Sequence, residues 1–217
     1  MKTFTCTLCH KIMENVIKGN CPHCNSPART RMLPVILEKI NDKILKDLVQ
    51  SKPLLGFAMT RMEKSELSKI FSSLTSASLY GNYGKEHIEG CDVRDLNRFS
   101  DDTFCGVFSS LLFDYFTEID QALKECARVT APGGIFITHI AKGRLSDGDA
   151  PVTVGSIIQK TETYFQYIPD DANMPSIKLG RQTFLKAMQN AGYAAEHYSL
   201  EDEASGEITD WFIGVVP

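Results

Sequence analysis

The chain has 217 residues, of which 43% are hydrophobic and 23% charged, and its formal net charge is −4. This length accommodates one full domain with a small appendage, and no apolar run reaches the roughly 18 to 20 residues that span a bilayer. The opening MKTFTCTLCHK contains no secretory hydrophobic segment, so we expect a cytoplasmic protein that has no membrane partner.

The charge is divided unevenly along the chain. Residues 1–31 carry a net charge of +4, whereas the remainder carries −8. A basic head is able to contact a phosphate backbone. The acidic body, however, lacks the stripe of Lys and Arg interleaved with aromatic residues that nucleic-acid-binding proteins usually present. The charge distribution therefore argues against nucleic acid as the main partner.

Two Cys-x-x-Cys pairs open the chain, Cys6/Cys9 and Cys21/Cys24, with eleven residues between them. Each pair sets two thiolates on one tight turn, and two facing turns complete the tetrahedron that structural Zn²⁺ prefers. We therefore predict a zinc ribbon or knuckle over residues 1–30, with these four cysteines as the metal ligands. The alternative is two disulfides or four thiols without a role, but nothing else indicates an oxidising compartment.

The following segments alternate between helix and strand patterns. Residues 31–50 carry apolar side chains at three- and four-residue steps, which predicts an amphipathic helix that connects the zinc head to the main domain. Strand candidates then lie at 53–59, 76–81 and, as a short one, 87–96. The segment 102–113 carries a fourth strand, 131–140 gives a turn and a fifth strand, and helices are predicted at 63–74 and 120–129. This alternation predicts a parallel sheet with helices on both faces, within a domain that covers 51–217.

Residues 141–180 break this rhythm, with several Gly, Pro and Asp residues and little periodicity. A long irregular stretch inside a compact domain is usually functional or mobile. It contains Tyr164, Phe165 and Tyr167, which would form a lid or substrate wall, or pack in a lid without touching substrate. A helix at 181–192 and two strands joined by a polar turn then predict an antiparallel C-terminal hairpin.

The segment 90–140 carries an ordered string of motifs: an acid, Asp92, then DLNRFSDDTF, and finally RVTAPGG before an apolar run. This string resembles the central stretch of class I S-adenosylmethionine (SAM) dependent methyltransferases. The leader CPHCNSPARTRML at 21–33 is similar to a C-P-x-C-x-S-x-x-R-x-R-x-L leader found ahead of some bacterial members. The resemblance implies a Rossmann-like α/β sheet, mostly parallel with an antiparallel C-terminal hairpin, that binds SAM over the ends of its first, second and fourth strands.

The resemblance also implies cofactor contacts near the ends of the first and third strands. Asp92 and the backbone of Val93 would meet the adenine amino group, although a solvated loop acid is the alternative for Asp92. Gly56 lies where relatives have a glycine-rich turn that lets the backbone approach the methionine part of SAM. Thr60, in the same turn, is a candidate contact for the cofactor carboxylate.

Further candidates follow the second, fourth and fifth strands. The second strand lacks the carboxylate that usually holds the ribose hydroxyls, so Asn82 is the candidate there. Ser110 matches the serine of an S-H-x-L-E-H string of relatives and is a candidate cofactor contact, whereas both histidines are absent and Asp114 replaces the glutamate. Candidate bases are Asp114 and His139, for which a hydrogen-bonded core histidine is the other interpretation.

We therefore expect a SAM-dependent methyltransferase that acts on a small-molecule or carbohydrate-like acceptor, with a purely structural zinc ion. The alternative is a catalytically degenerate methyltransferase fold that serves as a binding or scaffold module, with a protein partner docked on the zinc head. Each missing charge-assisted hydrogen bond to the cofactor forfeits about 1.5 to 3 kcal/mol of binding free energy. The departures from the family pattern therefore lower the expected affinity for SAM and favour the alternative. RNA methylation guided by the zinc head is a third hypothesis, which requires salt-dependent RNA binding.

Overall fold

The N-terminal part of the chain consists of a short hairpin and two helices. The computed structural model describes residues 3–14, 19–80, 87–141, 145–146, 156–160, 164–168 and 176–217. Its first elements are β1 (Phe4–Thr5), β2 (Ile12–Met13), α1 (Ala28–Lys39) and α2 (Lys46–Ser51). A 3-10 turn at Asn41–Lys43 separates the two helices, since Asn and Asp favour turns over helix interiors. The segment expected to form one connecting helix is therefore divided in two.

The remaining described elements are three helices and eleven strands. The helices are α3 (Arg61–Leu67), α4 (Ile119–Val129) and α5 (Arg181–Asn190). The strands are β3 (Leu54–Phe57), β4 (Leu74–Ala77), β5 (His87–Ile88), β6 (Phe104–Ser110), β7 (Thr130–Ile140), β8 (Leu145–Ser146), β9 (Ser156–Lys160), β10 (Tyr164–Ile168), β11 (Ser176–Gly180), β12 (Ala194–Asp202) and β13 (Glu207–Val215).

Seven strands form the main sheet, in the order β12-β13-β7-β6-β3-β4-β5. Neighbours run parallel except β13, which is antiparallel to both β7 and β12. The predicted mostly parallel sheet with an antiparallel C-terminal hairpin is thus confirmed. The chain builds outward in one direction from β3 and in the other from β6, so the carboxyl ends of these two strands form the topological switch point, where open α/β sheets bind ligands.

Each face of the sheet packs against its own set of helices. Leu54 belongs to an apolar cluster that also contains Leu33 and Ile36 of α1, whereas Leu55 belongs to the cluster on the opposite face, with Leu123 of α4. Adjacent residues of one strand therefore point into two different cores, as expected for a sheet covered on both sides. Helix α1 is consequently a structural layer of the main domain as well as a connection to the zinc head.

A second sheet lies where an irregular segment was expected. Its order is β8-β11-β10-β9, in which only β8 and β11 pair in parallel. The irregular interpretation was wrong, because the β-branched and aromatic residues of SIIQK and YFQYI favour strands. Ile177 and Leu179 of β11 are buried in the core on the α4 side. The side chains of Tyr164, Phe165 and Tyr167 lie outside the described part of the structure, so the lid remains a prediction.

Three isolated cysteines, Cys91, Cys105 and Cys126, are buried and free, as expected of thiols that pack as small hydrophobic side chains. Burial raises the pKa of the Cys105 thiol to about 12, which keeps it protonated and unreactive.

Among the described helices, none has both the length and the apolar character that crossing a bilayer requires.

Candidate functional site

The four N-terminal cysteines converge, and their sulfur atoms all lie within 4.8 Å of one another. The Sγ atoms of Cys6 and Cys24 are 3.8 Å apart, and so are those of Cys9 and Cys21. A tetrahedral zinc ion with Zn–S bonds of about 2.3 Å requires S–S separations of about 3.8 Å. The donor set and its spacing therefore fit one four-coordinate zinc ion.

The two Cys-x-x-Cys turns share one backbone conformation. The amide of His10 donates to the carbonyl of Cys6 at 2.9 Å, and the amide of Asn25 donates to the carbonyl of Cys21 at 2.8 Å. His10 and Asn25 have φ angles of 57° and 58°, and this left-handed residue closes each turn. The repeated conformation explains why both pairs have the same spacing.

Ser26 lies between the two turns and contacts two of the sulfur atoms. Its hydroxyl is 3.1 Å from Sγ of Cys24 and 3.8 Å from Sγ of Cys6. Burial raises the pKa of Cys9 to about 12, whereas hydrogen bonds from Ser26 outweigh burial and lower the pKa of Cys24 to about 7. Ser26 is thus placed to support the thiolate ligands, a role that the sequence analysis did not assign.

Arg31 joins the cysteine turns to the main domain. Its guanidinium is 1% exposed, and it donates to the carbonyls of Ser26 and of Gly19, the latter at 2.6 Å. On its other side it donates to both carboxylate oxygens of Asp202, at 3.1 and 2.5 Å. Sequence reasoning missed this pair, because the two residues are 171 positions apart and no local pattern connects them.

The turn after β3 differs from an open glycine-rich cradle. A Cβ atom at Gly56 would overlap the side chain of Met59, which fills this space. Ala58 adopts a φ of 49°, a conformation that suits glycine better. Thr60 caps α3: its hydroxyl accepts from the amide of Glu63 at 3.2 Å, and its own amide donates to the Glu63 carboxylate at 2.8 Å. Thr60 is exposed, but its hydroxyl is already engaged.

At the end of β4, two serines and a histidine form a hydrogen-bonded group. The imidazole of His87 lies 2.9 Å from the hydroxyl of Ser76 and 2.7 Å from that of Ser78. Sequence reasoning missed this group, although serines two residues apart in a strand share one face. Asn82, the sequence-predicted candidate here, lies outside the described residues.

Asp92 is held by its neighbour Arg94. Oδ1 of Asp92 accepts from the Arg94 amide at 2.9 Å, and Oδ2 accepts from Nη2 at 2.7 Å. The same guanidinium reaches Glu118 at 3.1 Å. Hydrogen bonding from Arg94 lowers the pKa of Asp92, so the carboxylate is ionised and oriented, but Arg94 competes with any other donor for it. Val93 is 4% exposed and packs in the core.

Ser110 and His139 lie side by side at the carboxyl ends of β6 and β7, where they are register partners. The imidazole is 3% exposed, and its ring centroid is 5.1 Å from that of Trp211. Burial, together with the positive charge of Arg29, lowers the pKa of His139 to about 3. This neutral, weakly basic histidine is buried, as the interpretation of a hydrogen-bonded core histidine requires, but its Nδ1 has no hydrogen-bond partner among the described residues. Asp114, after β6, is 1% exposed, and the catalytic roles of both residues remain predictions.

The topology brings most of these candidates to one edge of the sheet. Thr60 comes after the carboxyl end of β3, and Asp92 comes after that of β5. The carboxyl ends of β4, β6 and β7 carry, in turn, Ser78, Ser110 and His139. Carboxyl ends of parallel strands meet at the same edge. The edge therefore presents hydroxyl, carboxylate and imidazole groups around the switch point.

Comparisons with known proteins agree with this architecture. Residues 71–138 match a family model described as a methyltransferase domain, and no curated protein matches the sequence. Among solved structures, the PH0226 protein of Pyrococcus horikoshii has a TM-score of 0.59 at 16% identity, with 93% of this chain and 97% of that chain covered. The 1,6-didemethyltoxoflavin-N1-methyltransferase of Burkholderia thailandensis, with bound S-adenosylhomocysteine, has a TM-score of 0.55 at 12% identity, with coverages of 86% and 77%. The [4+2]-cyclase SpnF has a TM-score of 0.57 at 10% identity, with coverages of 85% and 80%.

Structural likeness at identities this low establishes the fold alone. The family match, in contrast, is a similarity of sequence, and it covers the central segment only. Both findings agree with the resemblance that the motifs of residues 90–140 indicated. The sheet topology and these likenesses show the fold of class I SAM-dependent methyltransferases, and within this chain residues 71–138 match the methyltransferase-domain family model.

Proposed function

We propose that the chain is an active SAM-dependent methyltransferase that acts on a small-molecule or carbohydrate-like acceptor, with a structural zinc ion. The observation that carries this proposal is the polar edge at the switch point, where the ends of five neighbouring strands present hydroxyl, carboxylate and imidazole groups. When bound, SAM supplies a methyl group on a sulfonium sulfur, so the protein's main task is to position the two reactants.

The described residues support cofactor binding in a modified form. Asp92 would accept a hydrogen bond from the adenine amino group, and Arg94 keeps it ionised. Ser78 and His87 are polar groups at the end of β4, where relatives hold the ribose with a carboxylate. Hydrogen bonds between neutral groups contribute about 0.5 to 1.5 kcal/mol, against about 1.5 to 3 kcal/mol for charged ones. We therefore expect SAM to bind, but less tightly than a site with the full set of carboxylates.

Two aromatic side chains support the proposed class of acceptor. Tyr80, after β4, is 80% exposed, and Tyr115, after β6, is 52% exposed. Tyrosine rings offer flat apolar faces with a polar tip, which suit small ring systems and sugars. The similar Burkholderia thailandensis enzyme is described with a bound small-molecule substrate, 1,6-didemethyltoxoflavin.

Calorimetric titration with SAM and with S-adenosylhomocysteine tests the proposal. Asp92→Asn is expected to weaken binding roughly tenfold or more, because a charge-assisted hydrogen bond is lost. Asp95→Asn is the matched control, since Asp95 lies in the same loop and is exposed. Absence of binding at millimolar ligand, or equal effects of the two substitutions, would contradict the proposal.

The alternative function is a binding or scaffold module built on a degenerate methyltransferase fold. It is favoured by the side chain of Met59, which fills the space over Gly56, and by Arg94, which already occupies Asp92. The [4+2]-cyclase SpnF has a similar fold, and it is named for a cyclisation instead of methyl transfer. On this alternative, a protein partner would dock on the zinc head, where Ile12 is 62% exposed. The calorimetric titration distinguishes the two functions, because the scaffold does not require SAM.

For the cysteine cluster we propose one structural zinc ion per chain. Free thiols support the reducing, cytoplasmic environment that this requires. Cys9→Ser is expected to abolish stoichiometric zinc, measured by elemental analysis of the purified protein, whereas Cys91→Ser, outside the cluster, should retain it. We expect chelation to unfold residues 1–30 and to leave the main domain largely intact. Uniform loss of circular dichroism across the protein would contradict that expectation.

A further inference from the structure

Three buried polar atoms lack hydrogen-bond partners at the carboxyl ends of β6 and β7. They are Nε of Arg29, Oγ of Ser110 and Nδ1 of His139, none of which is satisfied within the described structure. A buried polar group left unsatisfied destabilises the folded state, because it loses its hydrogen bonds to water and gains none. Such groups are rare in folded proteins, so three in one region call for a ligand that satisfies them.

These three groups lie on the same face of the sheet. Ser110 and His139 are register partners in adjacent parallel strands, so their side chains emerge side by side. Arg29 is one helical turn before Leu33 of α1, which shares an apolar cluster with Trp211. Trp211 in turn packs against His139. The charge of Arg29 acts on the imidazole at this place.

The positive charge of Arg29 has no counter-ion among the described residues. Arg29 takes part in none of the ion pairs formed by the described residues, and the first turn of α1 contains no acidic residue. The acid whose charge also reaches His139 is Asp210, but its carboxylate is bound by His197 at 2.8 Å. A bound anion would therefore neutralise the charge of Arg29 and would also accept hydrogen bonds from the three unsatisfied atoms.

We propose that Arg29, Ser110 and His139 bind an oxyanion, a carboxylate or a phosphate, carried by the methyl acceptor. Each of the three unsatisfied atoms is able to donate a hydrogen bond to such an oxygen, with the proton of His139 on Nδ1. Pairing of guanidinium with carboxylate or phosphate is strong and directional. The inference rests on the proposed function and narrows its substrate class to acidic small molecules.

The backbone beside Ser110 is consistent with a ligand site. Leu111 follows it with a φ of 60°, a left-handed conformation that is strained for a bulky residue because Cβ approaches the following carbonyl oxygen. Strain of this kind concentrates at binding and catalytic sites.

Fluorescence of the single tryptophan provides the test, because Trp211 packs against His139. The full chain is titrated with inorganic phosphate and, separately, with acetate, while chloride holds the ionic strength constant. We expect a saturable change, and Arg29→Gln is expected to weaken the affinity roughly tenfold or more. Lys39→Gln is the matched control, since it removes the same charge from the exposed last residue of α1 and should titrate like the unmodified protein. A response to one anion only supports the proposal and identifies the acceptor's acidic group.

Three results would overturn the inference: an unchanged affinity in Arg29→Gln, an equal loss in Lys39→Gln, or the same signal with chloride alone. If Arg29→Gln does not fold, Arg29→Lys keeps the charge without the planar fork and is expected to weaken binding in the same direction. The titration contains no SAM. Failure here with intact SAM binding therefore overturns only this inference, whereas saturable anion binding without SAM binding overturns the proposed methyl transfer.

Discussion

The ion pair between Arg31 and Asp202 joins the cysteine turns to the C-terminal hairpin, and we expect either single substitution that breaks it to cost about 3 to 5 kcal/mol. The two side chains are only 1% and 7% exposed. Water therefore screens neither charge, and removal of one partner leaves the other buried without compensation. Since a domain of this kind is stable by only about 5 to 15 kcal/mol, such a loss is a large fraction of the total.

The comparison of single and double variants isolates the charge effect. Arg31→Met is expected to cost more than Asp202→Asn, because it also removes the donors to the carbonyls of Ser26 and Gly19. The double variant Arg31→Met, Asp202→Asn is expected to cost less than the sum of the two single changes, since no unpaired charge remains in the interior.

The assay is equilibrium denaturant unfolding of each variant, before and after chelation of the metal. We expect the penalty of Arg31→Met to shrink on chelation, because the two carbonyls that it binds belong to the segment that we propose zinc to order. A penalty below about 1 kcal/mol, or one that chelation leaves unchanged, would refute the proposed coupling between metal and hairpin.

The pH dependence of stability gives an independent check. Burial favours a raised pKa for Asp202, but hydrogen bonds from Arg31 and Ser205 outweigh it and hold the pKa below the usual value. This contribution to stability is complete above the unfolded pKa of about 3.9 and is lost as the pH falls through the lower folded value. In Arg31→Met the folded pKa of Asp202 rises toward or above the unfolded value, so this acid-dependent loss of stability should shrink or disappear.

Two further predictions concern the sheet and its switch point. Ala58→Gly is expected to raise stability by up to about 1 kcal/mol in thermal unfolding, because it relieves a left-handed residue whose side chain is exposed; a lower melting temperature would contradict the strain. Gly106→Ala is expected to cost more than Gly56→Ala in the same assay, because the added methyl meets the backbone carbonyl of Ile135 in the first case and the flexible end of Met59 in the second. Equal costs would contradict this difference.

The strands of the main sheet could be predicted where apolar runs and turn residues agreed. The segment 131–140, predicted to give a turn followed by the fifth strand, lies entirely within the observed β7. The prediction at 87–96 was too long, because Gly90, at a φ of 64°, turns the chain after only two strand residues. Helix α3 begins at Arg61 instead of 63, and the Thr60-x-x-Glu63 capping box, visible in the sequence, would have indicated this start.

The candidate site could be predicted only in part. Motif positions indicated Asp92, but the Arg94 guanidinium that occupies its carboxylate follows from side-chain geometry. The sequence likewise contains no sign that Met59 folds over Gly56. Hydrogen-bond satisfaction is also a property of the folded state, so the Nδ1 atom of His139, which has no hydrogen-bond partner among the described residues, could not be recognised before the structure.

The start of α1 links the cysteine cluster to the proposed oxyanion site. Residues two apart in a helix project about 200° from each other, so Arg31 turns toward Asp202 while Arg29 lies near His139. Because Arg31 also binds Ser26 beside the cysteines, the zinc turns fix the position at which the helix begins. Chelation is therefore expected to weaken phosphate or acetate binding, measured by Trp211 fluorescence. Unchanged affinity after chelation would mean that the apolar core alone positions Arg29.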